Sequence, residues 1–124
     1  MAWNQDRLDR IGGTDELRIT SYRDDGSLRR WTPIWVVRVD DDLYVRSVRG
    51  REGGWYRKAT AGGAARIRAG DLETDVTLQP AADASTNEQV EAAYRAKYRG
   101  REGSLDAMVA PDAAETTLRL VDAG

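Results

Sequence analysis

The chain of 124 residues contains no cysteine and no histidine. Without cysteine it can form no disulfide and carries no thiolate nucleophile. Without histidine it lacks the commonest general base and metal ligand of proteins. These two absences exclude most hydrolytic triads and most zinc sites, and we predict no metal site.

Long apolar segments are also missing. No run approaches the roughly 20 apolar residues that a membrane-spanning helix needs. The N-terminal sequence MAWNQDRLDR does not show the basic and then apolar order of a signal peptide. We therefore expect a cytoplasmic protein with no membrane partner.

The composition predicts one globular domain covering residues 1–124. Charged residues make up 32% of the chain and hydrophobic residues 40%, a balance typical of folded proteins and not of disordered ones. A chain of this length can bury roughly two thirds of the surface that it exposes when unfolded. A single core and no second domain are expected.

Positive charge is concentrated in one part of the chain. The formal net charge is −2, yet the segment from Arg46 to Arg68 holds seven basic residues and one acidic residue, Glu52. Proteins that bind nucleic acids are usually basic over a wide surface. The confined cluster favours a pocket for a small anion and makes a nucleic-acid partner the weakest hypothesis.

Alternating apolar and polar residues predict a mainly β fold of the α+β class. The predicted strands cover residues 17–22, 28–31, 34–39, 43–48, 64–69, 72–79 and 116–121. The segment 34–39 is apolar on both faces except at Arg38, and we interpret it as the central strand. This many strands cannot bury their faces in a small flat sheet, so a small antiparallel barrel is expected.

Two or three short helices are expected beside the barrel. Asn4 is a suitable N-cap for the first helix, and residues 55–61 form the second. The capping-box spacing of residues 85–88 predicts the start of the third. Near residues 105–109 we expect only a short turn.

The segment from Ser47 to Lys58 holds the chemistry. Gly50 and Gly54 allow backbone amides to approach an anion, and a helix that begins near Trp55 presents free N–H groups. Arginine side chains in the same loop fit phosphate oxygens two at a time. The alternative is a hairpin loop whose arginines only face water.

The order of these motifs resembles the pyridoxamine-phosphate-oxidase-like superfamily of split β-barrel flavoproteins, and within it the deazaflavin-dependent nitroreductase branch. The residues that carry the resemblance are Arg30, Thr32-Pro33, Ser47, Gly50 and Trp55-Tyr56. It covers residues 17–78. The helix predicted at residues 86–99 and the strand that follows resemble instead a small uncharacterised bacterial family with the same arginine-glycine loop. Both likenesses imply a split β-barrel.

The superfamily binds FMN or a deazaflavin coenzyme in a cleft shared by two subunits. The resemblance implies phosphate contacts from basic and hydroxyl side chains, backbone contacts along the ring, and a pocket wall at Trp55 and Tyr56. The implied cofactor-binding residues are Arg30, Thr32, Pro33, Ser47, Arg49, Gly50, Arg51, Gly54, Trp55, Tyr56 and Lys58. Tyr56 is also the candidate proton donor.

Two functions remain open from the sequence. One is a flavin- or deazaflavin-binding oxidoreductase that transfers hydride to a small acceptor. The other is a non-catalytic split barrel that binds a phosphorylated small molecule. Because only the first of these is catalytic, the sequence does not decide whether the chain is an enzyme. We also predict a homodimer, because four tryptophans are more aromatic surface than one small core readily absorbs.

Overall fold

The computed structural model describes residues 3–124 and consists of one antiparallel sheet with short helices around it. The strands are β1 (Leu17–Thr20), β2 (Thr32–Ile34), β3 (Val37–Val39), β4 (Asp42–Val45), β5 (Ala64–Ala69), β6 (Leu72–Pro80) and β7 (Leu118–Asp122). The helices are α1 (Gln5–Gly12), α2 (Gly54–Gly62), α3 (Ala84–Lys97), α4 (Glu102–Met108) and α5 (Pro111–Ala114). A 3₁₀ turn at Gly50–Glu52 precedes α2.

The sheet closes on itself as a split barrel. Its strand order is β2-β1-β5-β6-β7-β4-β3, so β2 and β3 lie at opposite edges. Only Trp35 and Val36 separate the two strands along the chain. The gap from Ile34 to Val37 can span at most about 11 Å, so the sheet must curl until its two edges are neighbours. The predicted mainly β antiparallel barrel is confirmed.

The barrel core is built from the inward faces of the strands. Its fully or nearly fully buried side chains include Leu17, Ile19, Leu43, Ala65, Ile67, Val76, Leu118 and Leu120. Helix α1 covers one opening with Leu8 and Ile11, both completely buried. The Oδ1 of Asn4 accepts a hydrogen bond from the Arg7 amide at 2.8 Å, which confirms the predicted N-cap.

A second cluster lies on the other side of β3. Helix α3 packs Val90, Tyr94 and Tyr98 against Val37 and Tyr44, and residues of α4 extend the contact. These three residues recur at intervals of four, a spacing that places them on one side of the helix. That apolar side packs against the sheet. These contacts hold α3 beside the split of the barrel, which is the gap between the edge strands β2 and β3.

The predicted central strand at 34–39 is wrong. The segment breaks at Trp35 and Val36, and its two halves become the edge strands β2 and β3. Pro33 fits an edge position because it cannot donate to a second neighbour. The run is apolar on both faces for a different reason: Ile34 and Val36 enter the barrel core, while Val37 enters the second cluster.

Two local predictions also need correction. The strand predicted at 28–31 is reduced to one isolated bridge between Tyr22 and Leu28, because the chain leaves the ladder after the Asp25-Gly26 turn. Helix α3 begins at Ala84, since Asp83 caps it by accepting a hydrogen bond from the Thr86 amide at 3.0 Å. The capping box predicted at 85–88 does not form.

The described residues contain five short helices, two more than the largest number predicted. The expected turn at 105–109 lies largely within helix α4, and α5 follows with Pro111 at its first turn. Helix α4 has no side-chain cap, so its start carries no capping signal in the sequence. Within residues 3–124, no helix combines the length and apolar character needed to cross a membrane.

Candidate functional site

Two adjoining cavities lie where the loop after β4 meets the start of α2. The large cavity, about 520 Å³, is lined by Glu16, Thr32, Pro33, Ile34, Trp35, Arg46, Ser47, Val48, Arg49, Gly53, Gly54, Trp55, Ser104 and Met108. The basic cavity, about 290 Å³, is lined by Ile19, Thr20, Ser21, Arg23, Arg29, Arg30, Thr32, Gly54, Trp55 and Lys58. They share Thr32, Gly54 and Trp55. Together they have the volume typical of small-molecule sites.

Backbone hydrogen bonds hold the loop that forms the floor of the large cavity. The Ser47 amide donates to Thr116 Oγ1 at 2.8 Å. The Gly50 amide donates to the Ser47 carbonyl at 3.0 Å, and the Gly53 amide donates to the Gly50 carbonyl at 3.1 Å. Gly50 has a φ of +65°, a conformation that other residues adopt only with strain. The loop therefore delivers the chain to α2 in a defined position.

Two consecutive glycines at this junction have different surroundings. A Cβ on Gly53 would overlap with the Oγ of Ser47, whereas a Cβ on Gly54 would meet no atom within 4 Å. Gly53 thus permits the close approach of the loop to α2. Gly54 leaves open space beside the first free amides of the helix.

We expect Gly53→Ala to lower the free energy of unfolding by about 1 to 3 kcal/mol, as overpacking of a buried contact does. Ser47→Ala in the same chain should recover most of the loss, because it removes the overlapping oxygen. Urea denaturation of the single and double variants measures both effects. Gly54→Ala is the matched control, and equal stability of the two glycine variants would contradict the packing described here.

Trp35 forms an aromatic wall of the large cavity and is supported from behind. Its ring stacks on Tyr98 with centroids 3.8 Å apart and planes 4° apart. The Tyr98 hydroxyl donates to the Asp15 carbonyl at 2.5 Å and accepts from the Val36 amide at 3.2 Å. Burial raises the pKa of Tyr98 to about 12, so the hydroxyl keeps its proton and both bonds. The wall is therefore held rigidly.

Lys97 adds a further contact to this support. Its Nζ donates to the Val36 carbonyl at 2.6 Å, and burial lowers its pKa to about 8. Trp35 and Val36 connect the two sheet edges, and both contact the C-terminal end of α3. Trp35 does so through its ring, and Val36 does so through its backbone. The split of the barrel is consequently a fixed wall of the site.

The basic cavity carries four cationic side chains, Arg23, Arg29, Arg30 and Lys58, and its described lining residues include no carboxylate. The Nε of Arg29 is buried and has no hydrogen-bond partner. A buried donor without a partner costs free energy comparable to a lost hydrogen bond. An anion in this cavity would neutralise the charge of the four cations, so the residues present fit an anionic group.

Part of the positive segment predicted from the sequence is buried or neutralised inside the fold. Arg46 is completely buried. Arg66 lies 2.6 Å from Glu73 and 3.0 Å from Asp75, and Arg68 lies 2.9 Å from Glu73. Hydrogen bonds from Arg66 and then Arg68 lower the pKa of Glu73. The seven basic residues therefore do not form one positive surface.

Eight of the eleven predicted cofactor-binding residues line one or both cavities. They are Arg30, Thr32, Pro33, Ser47, Arg49, Gly54, Trp55 and Lys58. Gly50 lies beneath Asp112, and Arg51 is exposed with its Nε 3.7 Å from Glu115. Tyr56 packs against the barrel core. These last three predicted residues lie outside both cavities, and their roles stay predictions.

Arg23 and Arg29 line the basic cavity but were not predicted from the sequence. They stand on opposite arms of the Asp25-Gly26 turn, and the Nη1 of Arg23 donates to the Leu28 carbonyl at 2.7 Å. A hairpin brings its two arms together. The basic residues on both arms of this predicted hairpin were the sequence pattern from which Arg23 and Arg29 could have been predicted as cavity residues.

Solved structures with the same fold differ widely in sequence. A protein titled "Putative Pyridoxamine 5'-phosphate oxidase" from Listeria innocua is 13% identical with a TM-score of 0.65, covering 96% of this chain and 92% of its own. An F420-H2 dependent reductase is 13% identical with a TM-score of 0.61, covering 86% and 93%. A FAD and heme binding protein from Mycobacterium smegmatis is 22% identical with a TM-score of 0.62, covering 98% and 67%. At these identities the likeness establishes the fold.

A search of functionally curated proteins found no significant match. A family model does match the sequence, over residues 7–120, which includes the loop, both cavities and helix α3. The expected split-barrel fold and the expected uncharacterised bacterial family are both confirmed. The chain belongs to the family described as "Uncharacterized protein conserved in bacteria (DUF2255)", with the split-barrel fold of the pyridoxamine-phosphate-oxidase-like proteins.

Proposed function

We propose that this chain binds a flavin-type cofactor, with the planar ring in the large cavity and the phosphate end in the basic cavity. The observation that carries the proposal is the junction of the two cavities at Thr32, Gly54 and Trp55. FMN, FAD and deazaflavin coenzymes have the same two parts, a flat ring and an anionic tail. The shape and the charge of the site match both.

The large cavity suits a flat aromatic ring. Trp35 and Trp55 both line it, and aromatic rings gain about 0.5 to 1.5 kcal/mol from stacking beyond the burial of their area. Gly54 borders the same space, and its amide at the start of α2 has no helical acceptor. Backbone donors of this kind can hydrogen-bond the carbonyl oxygens and nitrogens along the ring edge.

The basic cavity suits the phosphate. Arg30 and Lys58 offer charge-assisted hydrogen bonds, and α2 begins at Gly54 with amides that lack helical partners. The dipole of the helix adds to the attraction. Arg30, Lys58 and the start of α2 are therefore the proposed phosphate contacts.

Proteins of similar structure agree with this ligand class. One of those proteins is named for F420-H2 and another for FAD and heme. Haem is a poorer candidate here, because its usual axial ligands include histidine and cysteine, and this sequence has neither. A flavin or deazaflavin needs no such ligand.

The proposed activity is that of an oxidoreductase acting on a small acceptor. When bound, a flavin or deazaflavin supplies hydride transfer. The residues of this chain would bind and orient the ring, and Ser47, Ser104 and Glu16 border the space left for a substrate. Among the described lining residues of the large cavity there is no tyrosine, which is the observation that favours the alternative of a non-catalytic module binding a phosphorylated molecule.

We further propose a homodimer in the cytoplasm. Val48, which is 52% exposed, lies on the rim of the large cavity, so a second copy could cover the open side of the ring. Sedimentation equilibrium at micromolar concentration should give twice the mass of the chain. A monomer under these conditions would contradict the assembly and leave cofactor binding to be judged separately.

Calorimetric titration with riboflavin, FMN, FAD and a deazaflavin coenzyme tests the proposal. We expect the phosphate-bearing compounds to bind more tightly than riboflavin, and their affinity to fall as salt is raised. Trp55→Ala should weaken every ring-bearing ligand by about tenfold or less. Trp31→Ala is the control, since Trp31 packs on Arg68 and lines neither cavity. If the parent binds none of these compounds, the flavin proposal fails.

A further inference from the structure

The basic cavity has more cations than one phosphate needs. Four positive side chains line it, and no carboxylate is among its described lining residues. A phosphate monoester carries about two negative charges near neutral pH. The nearby carboxylate of Asp25 is already engaged by the amide and hydroxyl of Ser27, at 3.0 and 2.6 Å. A single phosphate would leave about two of the cations without an anionic partner.

The cations come from two separate elements. Lys58 lies on α2, beside the amides that begin at Gly54. Arg23, Arg29 and Arg30 lie in the connection between β1 and β2. One anionic group at the start of α2 would occupy the helix side, and the guanidinium groups of the connection would face a second anionic group.

The donors on the connection side are also incompletely used. Each guanidinium has five N–H groups in a planar fork. Arg23 spends Nη1 on the Leu28 carbonyl and the Ser27 hydroxyl, and the buried Nε of Arg29 has no partner. These forks bind phosphate oxygens in pairs. If one phosphate is bound by Lys58 and the start of α2, the arginine donors can bind more oxygens than that phosphate has left.

The volume points the same way. At about 30 Å³ for each water molecule, a cavity of about 290 Å³ corresponds to roughly nine waters. It therefore has room for an anion larger than one phosphate group.

We propose that the basic cavity is a diphosphate site, with one phosphoryl group at Lys58 and the start of α2 and the other at Arg23 and Arg29. The inference rests on the proposed function in one respect, which is that the cofactor's anionic end lies here. It makes a flavin dinucleotide, in which a ribityl chain joins the ring to a diphosphate, a better ligand than a flavin with one phosphate.

Calorimetric titration of the full chain with inorganic pyrophosphate and with inorganic phosphate tests the site without any flavin. We expect pyrophosphate to bind at least about tenfold more tightly. Arg23→Gln and Arg29→Lys should each reduce this preference, while Lys58→Ala should weaken both anions. Arg51→Ala is the control, because Arg51 is exposed outside both cavities, and it should leave the preference unchanged.

The outcomes separate this inference from the proposed function. Equal affinity for the two anions, binding of neither, or a preference that survives both arginine variants overturns the diphosphate site. A pyrophosphate preference in a chain that binds no flavin supports the site and removes the flavin proposal. Flavin binding with no preference between the anions supports the flavin proposal and overturns the diphosphate site. Thermal denaturation of each variant establishes that the titrated protein is folded.

Discussion

Arg46→Ala is expected to lower the free energy of unfolding by about 3 to 5 kcal/mol. Arg46 is completely buried. Its Nε donates to Thr117 Oγ1 at 2.9 Å and its Nη1 to the Met108 carbonyl at 3.1 Å. Its Nη2 donates to Asn87 Oδ1 at 3.0 Å and to Glu91 Oε2 at 3.3 Å. Removing the side chain leaves a cavity and several acceptors without their donor.

The main cost should come from the buried acceptors and not from the lost ion pair. The Glu91 side chain is 33% exposed, so its carboxylate can turn to water. The Thr117 hydroxyl and the Met108 carbonyl are held inside, where an acceptor without a donor costs about 1 to 3 kcal/mol. Arg46→Lys keeps the charge but loses the planar fork of N–H donors. We expect its loss in free energy of unfolding to be smaller than that of Arg46→Ala.

Urea denaturation of the variants measures the effect, with Arg49→Ala as the control. Arg49 is an exposed arginine three residues further along, and its removal should change the free energy of unfolding by about 0.5 kcal/mol or less. If Arg46→Ala does not fold, the value for Arg46→Lys replaces it. Equal midpoints for Arg46→Lys, Arg46→Ala and Arg49→Ala would show that the buried network is not important for stability.

The second large effect is expected on ligand affinity. Removing both Arg30 and Lys58 would eliminate the two charge-assisted hydrogen bonds that we propose to the phosphate, of about 1.5 to 3 kcal/mol each. If the two losses add, FMN or FAD should bind roughly 100- to 10,000-fold more weakly. Contacts with one anion are coupled, so the lower part of this range is expected. Folding should be unaffected, because both side chains are exposed.

Calorimetric titration at low and moderate salt measures the loss. The control is the double variant Arg51→Ala and Arg57→Ala, which removes the same charge from exposed positions that line neither cavity. Affinity of the parent and of the control should fall with salt, and affinity of the Arg30 and Lys58 variant should fall less. The same weakening in both double variants would indicate general attraction by a basic surface and no defined site.

Several elements could be predicted from the sequence because neighbouring residues determine them. The hairpin of β5 and β6 turns at Gly70, whose φ is +62°, and the alternation along β6 places Thr74, Val76 and Leu78 inside. Helix α2 ends at Gly63 with a left-handed C-cap. Backbone sterics and a period of two residues are sufficient for such predictions.

The candidate site was only partly predictable. The loop residues Ser47, Gly54 and Trp55 were predicted because glycines before a helix start are a local pattern, and all three line the large cavity. Arg51 and Tyr56 belong to the same local pattern, yet the turn of the chain directs them away from the cavities. Arg23 and Arg29 reach the site from another part of the chain through the hairpin.

The sequence by itself predicted most of the strands and turns, and helix α1 with its cap, since these depend on residues within a few positions of each other. Anion binding by the loop stays a prediction. Only the tertiary structure decided which charges remain available. Arg66 is neutralised because the hairpin register places Asp75 directly opposite, and Arg46 is buried by partners 41 to 71 residues away. The cavities arise where β2 and the chain before it meet the loop after β4 and the start of α2, and no local pattern encodes that meeting.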